Sequence, residues 1–86
     1  MGDGLWKLTK KQVRIVGPGV RDAIYRVVNS GPATVNVGMK DATTGKFVYL
    51  ETRPGCSMDV PIDGGELWIY PLSDGGSATG VYTLVR

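Results

Sequence analysis

The stretch TVNVGM, residues 34–39, carries the clearest secondary-structure pattern in this chain. Valine, valine and methionine occupy every second position, with threonine, asparagine and glycine between them. Because successive side chains of a β-strand point to opposite faces, this alternation predicts a strand with one buried face and one face in solvent. Such a strand requires neighbours, so the rest of the chain should supply a sheet.

Further alternating segments lie on both sides of this strand. Clusters of glycine, proline, asparagine and serine separate them, among them the strong turn signal Asn-Ser-Gly-Pro at residues 29–32. Pro61 lies on the polar face of its segment and indicates an edge strand, because proline cannot donate a hydrogen bond to a neighbouring strand. The predicted strands are residues 12–16, 23–28, 34–39, 47–50, 58–62, 67–70 and 79–85.

The spacing of these strands predicts the fold class. Short strands separated by regular turn signals, with no helical segment among them, are typical of all-β sandwiches and small barrels. We therefore predict an all-β fold, a small two-sheet antiparallel β-sandwich of about seven strands that is jelly-roll or Ig-like, with a barrel as the alternative. At 86 residues the chain has the length of one domain.

Residues 1–11 differ from the alternating segments. Leu5, Trp6 and Leu8 are apolar, and lysines follow them. This segment is either a basic and aromatic arm, whose exposed tryptophan anchors in a partner's pocket, or the first edge strand of the sandwich. Residues 12–86 form the single β-sandwich domain in both cases.

Charge is distributed unevenly along the chain. Residues 1–26 hold six basic and two acidic side chains, whereas the remaining residues hold four basic and six acidic ones. Such polarity favours head-to-body contacts between copies, or docking of the N-terminal segment onto an acidic surface, and the alternative is scattered solubilising charge. The candidate docking residues are Trp6, Lys7, Lys10, Lys11 and Arg14.

The composition argues against catalysis and metal binding. The chain has no histidine and one cysteine, Cys56, so the common general base, the usual metal ligands and an internal disulfide are all missing. We therefore expect no enzyme, no cofactor and no metal site. A short chain without disulfide or metal gains stability most readily from a partner subunit, which favours a homo-oligomer.

Trp68 and Tyr70 suggest a different kind of binding. They alternate on one face of their predicted strand and could form a flat platform for a glycan. The alternative is that this face is core and that Leu67 and Ile69 cover the other side. Nucleic acid is a less favoured partner, because acidic residues are interleaved with the aromatic ones and the isoelectric point of about 8.9 is only mildly basic.

The sequence also bears on location. No apolar stretch approaches the ~20 residues of a membrane helix, and residues 1–20 lack the apolar core of a signal peptide, which predicts cytoplasmic synthesis and no membrane partner.

In architecture alone, the pattern resembles the capsid decoration and tail accessory proteins of bacterial viruses. The chain is therefore predicted to be a non-enzymatic structural protein that self-associates or docks on a larger assembly, in its most specific form a virion protein. The alternative is a small carbohydrate-binding, lectin-like module.

Overall fold

The computed structural model describes residues 3–41, 43–72 and 76–86, and within these ranges it contains strands and no helix. The strands are β1 (Gly4–Leu8), β2 (Val13–Val16), β3 (Ala23–Pro32), β4 (Val35–Lys40), β5 (Phe47–Thr52), β6 (Ser57–Ile62), β7 (Glu66–Pro71) and β8 (Ala78–Leu84). They form two four-stranded antiparallel sheets, sheet A in the order β1-β8-β3-β6 and sheet B in the order β2-β7-β4-β5. The predicted two-sheet sandwich is thus confirmed, and residues 4–8 add a strand to the predicted seven.

The core lies between the two sheets and follows the alternation of the sequence. In sheet B, Val35, Val37, Leu67 and Ile69 point inward and are fully buried. Sheet A contributes a second row of inward residues, of which Val27 at the centre of β3 is also fully buried. The intervening residues of both sheets form the two outer faces.

The turn predicted at residues 29–32 is wrong, because β3 continues through these residues to Pro32. The register with β8 shifts between Asn29 and Gly31, so the chain absorbs them as a β-bulge. The amide nitrogen of buried Asn29 donates to the carbonyls of Ala33 and Thr52 at 2.9 and 2.8 Å. Its side-chain oxygen accepts the Gly31 N–H at 2.8 Å. Residue types that favour turns therefore stabilise an irregular strand here.

The sandwich is closed on one side and open on the other. On the closed side, the edge strands β1 and β2 lie against each other. On the opposite side, the edge strand β6 packs against β4, so β5 extends beyond the cover of sheet A. Pro61 lies in β6, at the edge where proline was predicted.

Candidate binding surfaces

Strand β5 is exposed on both of its faces. Its inward-facing residues Val48 and Leu50 are 69% and 63% exposed, and its outward-facing residues Phe47 and Tyr49 are 39% and 51% exposed. Only Thr52 at its end is buried. Beneath Val48 and Leu50 lies a shallow apolar cavity of about 220 Å³, whose further lining residues include Met39, Met58 and Val60. We call this side of the molecule the open edge.

The four edge strands differ in the features that discourage pairing with another chain. Strand β6 contains Pro61 and the charged Asp59, β2 has four residues and a bulge, and β1 carries Lys7 in its exposed row. Short strands, bulges, charges and prolines are the usual means of protecting a sheet edge. Strand β5 has one charged residue, Glu51 near its end, but its residues 47–50 form an uninterrupted apolar run that is exposed on both faces. Strand β5 therefore presents the longest exposed apolar run of the four edges.

A cluster of four aromatic side chains covers part of the outer face of sheet B. We call Phe47, Tyr49, Trp68 and Tyr70 the aromatic cluster. The ring centroids of Phe47 and Tyr70 are 5.2 Å apart, those of Tyr49 and Tyr70 are 5.7 Å apart, and those of Trp68 and Tyr70 are 6.0 Å apart with 19° between the planes. The rings thus form one contiguous apolar surface.

Gly38 allows these rings to approach one another. It lies on β4 between the two aromatic strands, opposite Tyr49 on β5 and Trp68 on β7. A Cβ at this position would collide with the Tyr49 side chain and the Val48 carbonyl oxygen. Glycine is therefore required where the aromatic side chains of two non-adjacent strands meet.

Polar groups border the aromatic cluster. Together with the four rings, Gln12, Asn36 and Pro71 line a shallow cavity of about 410 Å³. The Trp68 indole N–H donates to Glu66 Oε1 at 2.8 Å, which fixes the orientation of that ring. Partial burial raises the pKa of Tyr70, and the nearby Tyr49 and Glu66 raise it further, so its hydroxyl stays protonated and able to donate a hydrogen bond.

The N-terminal docking candidates do not form one surface. Trp6 is 4% exposed and belongs to the core, which corrects the expectation of an exposed anchor at this position. Lys7, Lys10 and Lys11 are exposed, but Lys7 lies on sheet A, whereas Arg14 lies on sheet B and forms an ion pair with Glu66 at 3.8 Å. Lys7 and Arg14 thus lie on different sheets, and Lys10 and Lys11 lie in the connection between β1 and β2.

The structure places the two glycan candidates together on an outer face. Leu67 and Ile69 fill the core side of β7, so Trp68 and Tyr70 point away from the core and are half-buried. Sequence reasoning missed Phe47 and Tyr49, which complete the cluster. The sequence shows the alternation of residues 47–50, but it does not show that β4 pairs with both β5 and β7.

Three further properties concern the described residues. None of them belongs to a helix that is long and apolar enough to cross a membrane. No group of three or more histidine, cysteine, aspartate or glutamate side chains among them is arranged to hold a metal ion. The thiol of Cys56 is free and exposed at the turn before β6.

Comparison with known proteins supports the observed fold but does not assign the chain to a family. No family model matches the chain, and no curated protein matches its sequence. Among solved structures, the CENP-C cupin domain of Drosophila melanogaster is similar, with a TM-score of 0.63, 13% identity, and coverage of 96% of this chain and 56% of that one. Drosophila melanogaster CENP-C bound to CAL1 is similar to the same degree, with a TM-score of 0.63, 13% identity, and coverage of 95% and 62%. The chain therefore has a jelly-roll-like sandwich fold similar to a cupin domain, and it spans less than two thirds of the structures it matches.

Proposed function

We propose that this chain is a non-enzymatic assembly module and that its open edge pairs with a second copy of the chain. The observation that carries the proposal is the exposure of β5, an edge strand whose residues 47–50 are apolar and exposed on both faces. An edge strand presents unpaired backbone N–H and C=O groups, and an added strand satisfies them. The exposed side chains of β5 provide the hydrophobic contribution to the same contact.

A second copy fits this edge because β5 is complementary to itself. Antiparallel pairing centred on Tyr49 places Val48 of one copy opposite Leu50 of the other, on the inward side of the joined sheet. Both apolar residues then lose contact with water at once. Such an arrangement has two-fold symmetry, which is the commonest symmetry of soluble oligomers. It also gives a small domain the additional buried surface that its own core cannot supply.

The structural comparisons support a protein partner in a general way. One of the similar structures is CENP-C bound to a second protein, CAL1, so a fold of this type does take part in a protein complex. None of the comparisons supports a virion-surface role, and the proposal does not include one.

The first test is the mass of the native species by light scattering over a range of concentrations. We expect the wild-type chain to reach twice its monomer mass of 9.2 kDa and Leu50→Lys to remain monomeric, because a charge in the paired strand opposes the contact. Leu5→Lys is the matched control, since Leu5 is 82% exposed on another edge strand. A wild-type chain that is monomeric throughout, or a dimer that Leu5→Lys breaks and Leu50→Lys preserves, would refute the proposal.

A disulfide test checks the register. In a Cys56→Ser background, Tyr49→Cys should form a covalent dimer under mild oxidation, because the two new thiols face each other across the two-fold axis. Phe47→Cys in the same background should not, because its two thiols would be offset by roughly 13 Å along the strands, beyond the reach of a disulfide. Equal cross-linking of both variants would contradict this register.

A further inference from the structure

We propose that the aromatic cluster on the outer face of sheet B is a binding site for a neutral oligosaccharide. Two of its rings, Phe47 and Tyr49, lie on β5, the strand proposed to pair, but its centre lies on β7 and β4, so variants on these two strands test it separately from the pairing. The flat C–H faces of a sugar ring pack well on aromatic rings, which provide a large apolar surface with few rotatable bonds. The four rings project from β5 and β7, on either side of β4, and could contact more than one sugar unit.

The aromatic side chains of this face have no role in the core. The inward sides of β7 and β4 are already occupied by Leu67, Ile69, Val35 and Val37, all of which are fully buried. The cluster on the other side of the same strands remains partly exposed. Contiguous exposed apolar surface bordered by polar groups is characteristic of ligand-binding sites.

The border of the cluster has the polar groups that sugar hydroxyls require. The side-chain amides of Asn36 and Gln12 lie at the same cavity as the rings, and each offers both a donor and an acceptor. The hydroxyls of Tyr49 and Tyr70 add two further groups of that kind. A sugar hydroxyl is likewise both donor and acceptor, so these groups match it better than fixed charges would.

The charge of this face selects a neutral ligand. Its two basic residues, Arg14 and Lys40, are balanced by two acidic ones, Glu51 and Glu66. Arg14 pairs with Glu66 at 3.8 Å, and the Lys40 ammonium lies 5.7 Å from the centre of the Phe47 ring. A site for nucleic acid or for an acidic polymer would require an excess of positive charge, which this face lacks.

The test is a titration of the full chain with cellohexaose, chitohexaose and maltohexaose, in which binding is measured by calorimetry and by tryptophan fluorescence. We expect saturable binding of at least one hexasaccharide. Tyr70→Ala should weaken it about fivefold or more, because an aromatic contact of this size contributes on the order of 1 kcal/mol, which is about a fivefold change in affinity. Asn36→Ala should weaken it several-fold, and Val81→Ala, an exposed residue on the outer face of sheet A, should leave it unchanged.

Far-ultraviolet circular dichroism and native mass are recorded for each variant. Tyr70 and Asn36 lie inside sheet B rather than on its edge strand, so we expect no change in either property. Loss of sugar binding with unchanged mass would therefore separate this site from the open edge. If no hexasaccharide binds the wild-type chain, or if Tyr70→Ala binds as well as wild type, the proposal is wrong. Tyr70-dependent binding of a proline-rich peptide or of oligo-dT, without sugar binding, would also overturn it.

Discussion

Asn29 shows how one buried polar side chain can hold an irregular part of a strand together. Its side chain makes three hydrogen bonds, and all three join it to backbone groups. Its own backbone is also engaged, because its N–H donates to the carbonyl of Cys56 at 3.0 Å and its carbonyl accepts from Gly55 at 2.7 Å. Asn29 therefore connects the bulge of β3 with the turn between β5 and β6.

We predict that Asn29→Ala lowers the free energy of unfolding by about 3 kcal/mol, because it leaves buried backbone groups without partners. Urea denaturation followed by circular dichroism measures this change. Asn36→Ala is the matched control, since this amide lies on the outer face and its loss should change stability by about 0.5 kcal/mol or less. Equal effects of the two substitutions would show that the hydrogen bonds of Asn29 do not contribute as described.

A second residue-scale prediction concerns pH. Arg26 donates to both carboxylate oxygens of Asp59, at 2.8 and 3.2 Å. These hydrogen bonds lower the pKa of Asp59 below its ordinary value of 3.8. Since the folded pKa is lowered, the contribution of the pair to stability is present above the unfolded pKa and is lost as pH falls through the folded pKa.

We expect Arg26→Gln to return the pKa of Asp59 toward 3.8 and to remove this acid-dependent part of the stability. Carboxyl-carbon NMR titration measures the pKa directly. Arg21→Gln serves as the control, because Arg21 pairs with Asp63 at 3.7 Å and not with Asp59. An unchanged Asp59 titration in Arg26→Gln would contradict the assignment.

At the scale of elements, β1 is part of the sandwich and not a detached arm. Trp6 and Leu8 point into the core, whereas Leu5 points outward. Trp6 packs over Gly80 of β8, where an added Cβ would lie 2.6 Å from the indole ring. Both the first strand and the glycine beneath it are therefore needed to close this side of the core.

We predict that Leu8→Ala destabilises the protein by about 3 kcal/mol, the usual cost of a cavity at a fully buried leucine. Leu5→Ala, in the same strand, should change stability by about 0.5 kcal/mol or less, because its side chain is exposed. Thermal or urea denaturation of the two variants measures the difference. If residues 1–11 acted as an arm that contributes nothing to the core, both variants would unfold like the wild type.

The open edge and the aromatic cluster depend on pairings that no single strand specifies. Alternation within β7 groups Trp68 with Tyr70 and Leu67 with Ile69, but both pairs are apolar, so the strand alone does not indicate which pair is buried. The polar residue Asn36 on the neighbouring strand marks the outer face. That information becomes usable only when β4 and β7 are known to be neighbours.

For the whole molecule, the all-β fold class could be predicted from the sequence, because it depends on the alternation of apolar and polar residues within each strand. The edge position of Pro61 and most strand positions follow from alternation and turn chemistry, whereas the choice between a two-sheet sandwich and a barrel does not. The site follows only in part: alternation places Trp68 and Tyr70 on one face, whereas Phe47 and Tyr49 join them through long-range register. Similarly, the basic excess of residues 1–26 does not produce one basic face, since β1 and β3 belong to sheet A and β2 belongs to sheet B.

Strand β5 belongs to both the open edge and the aromatic cluster, and this position affects the affinity for a polymeric ligand. Pairing along β5 would join two copies of sheet B and place two aromatic clusters on the same side of the joined sheet. A polymer of repeating sugar units could then engage both clusters, the second at an effective concentration of about millimolar or above. Weak attachment at each cluster would be sufficient for firm retention on a polymeric surface, while short soluble sugars would dissociate rapidly.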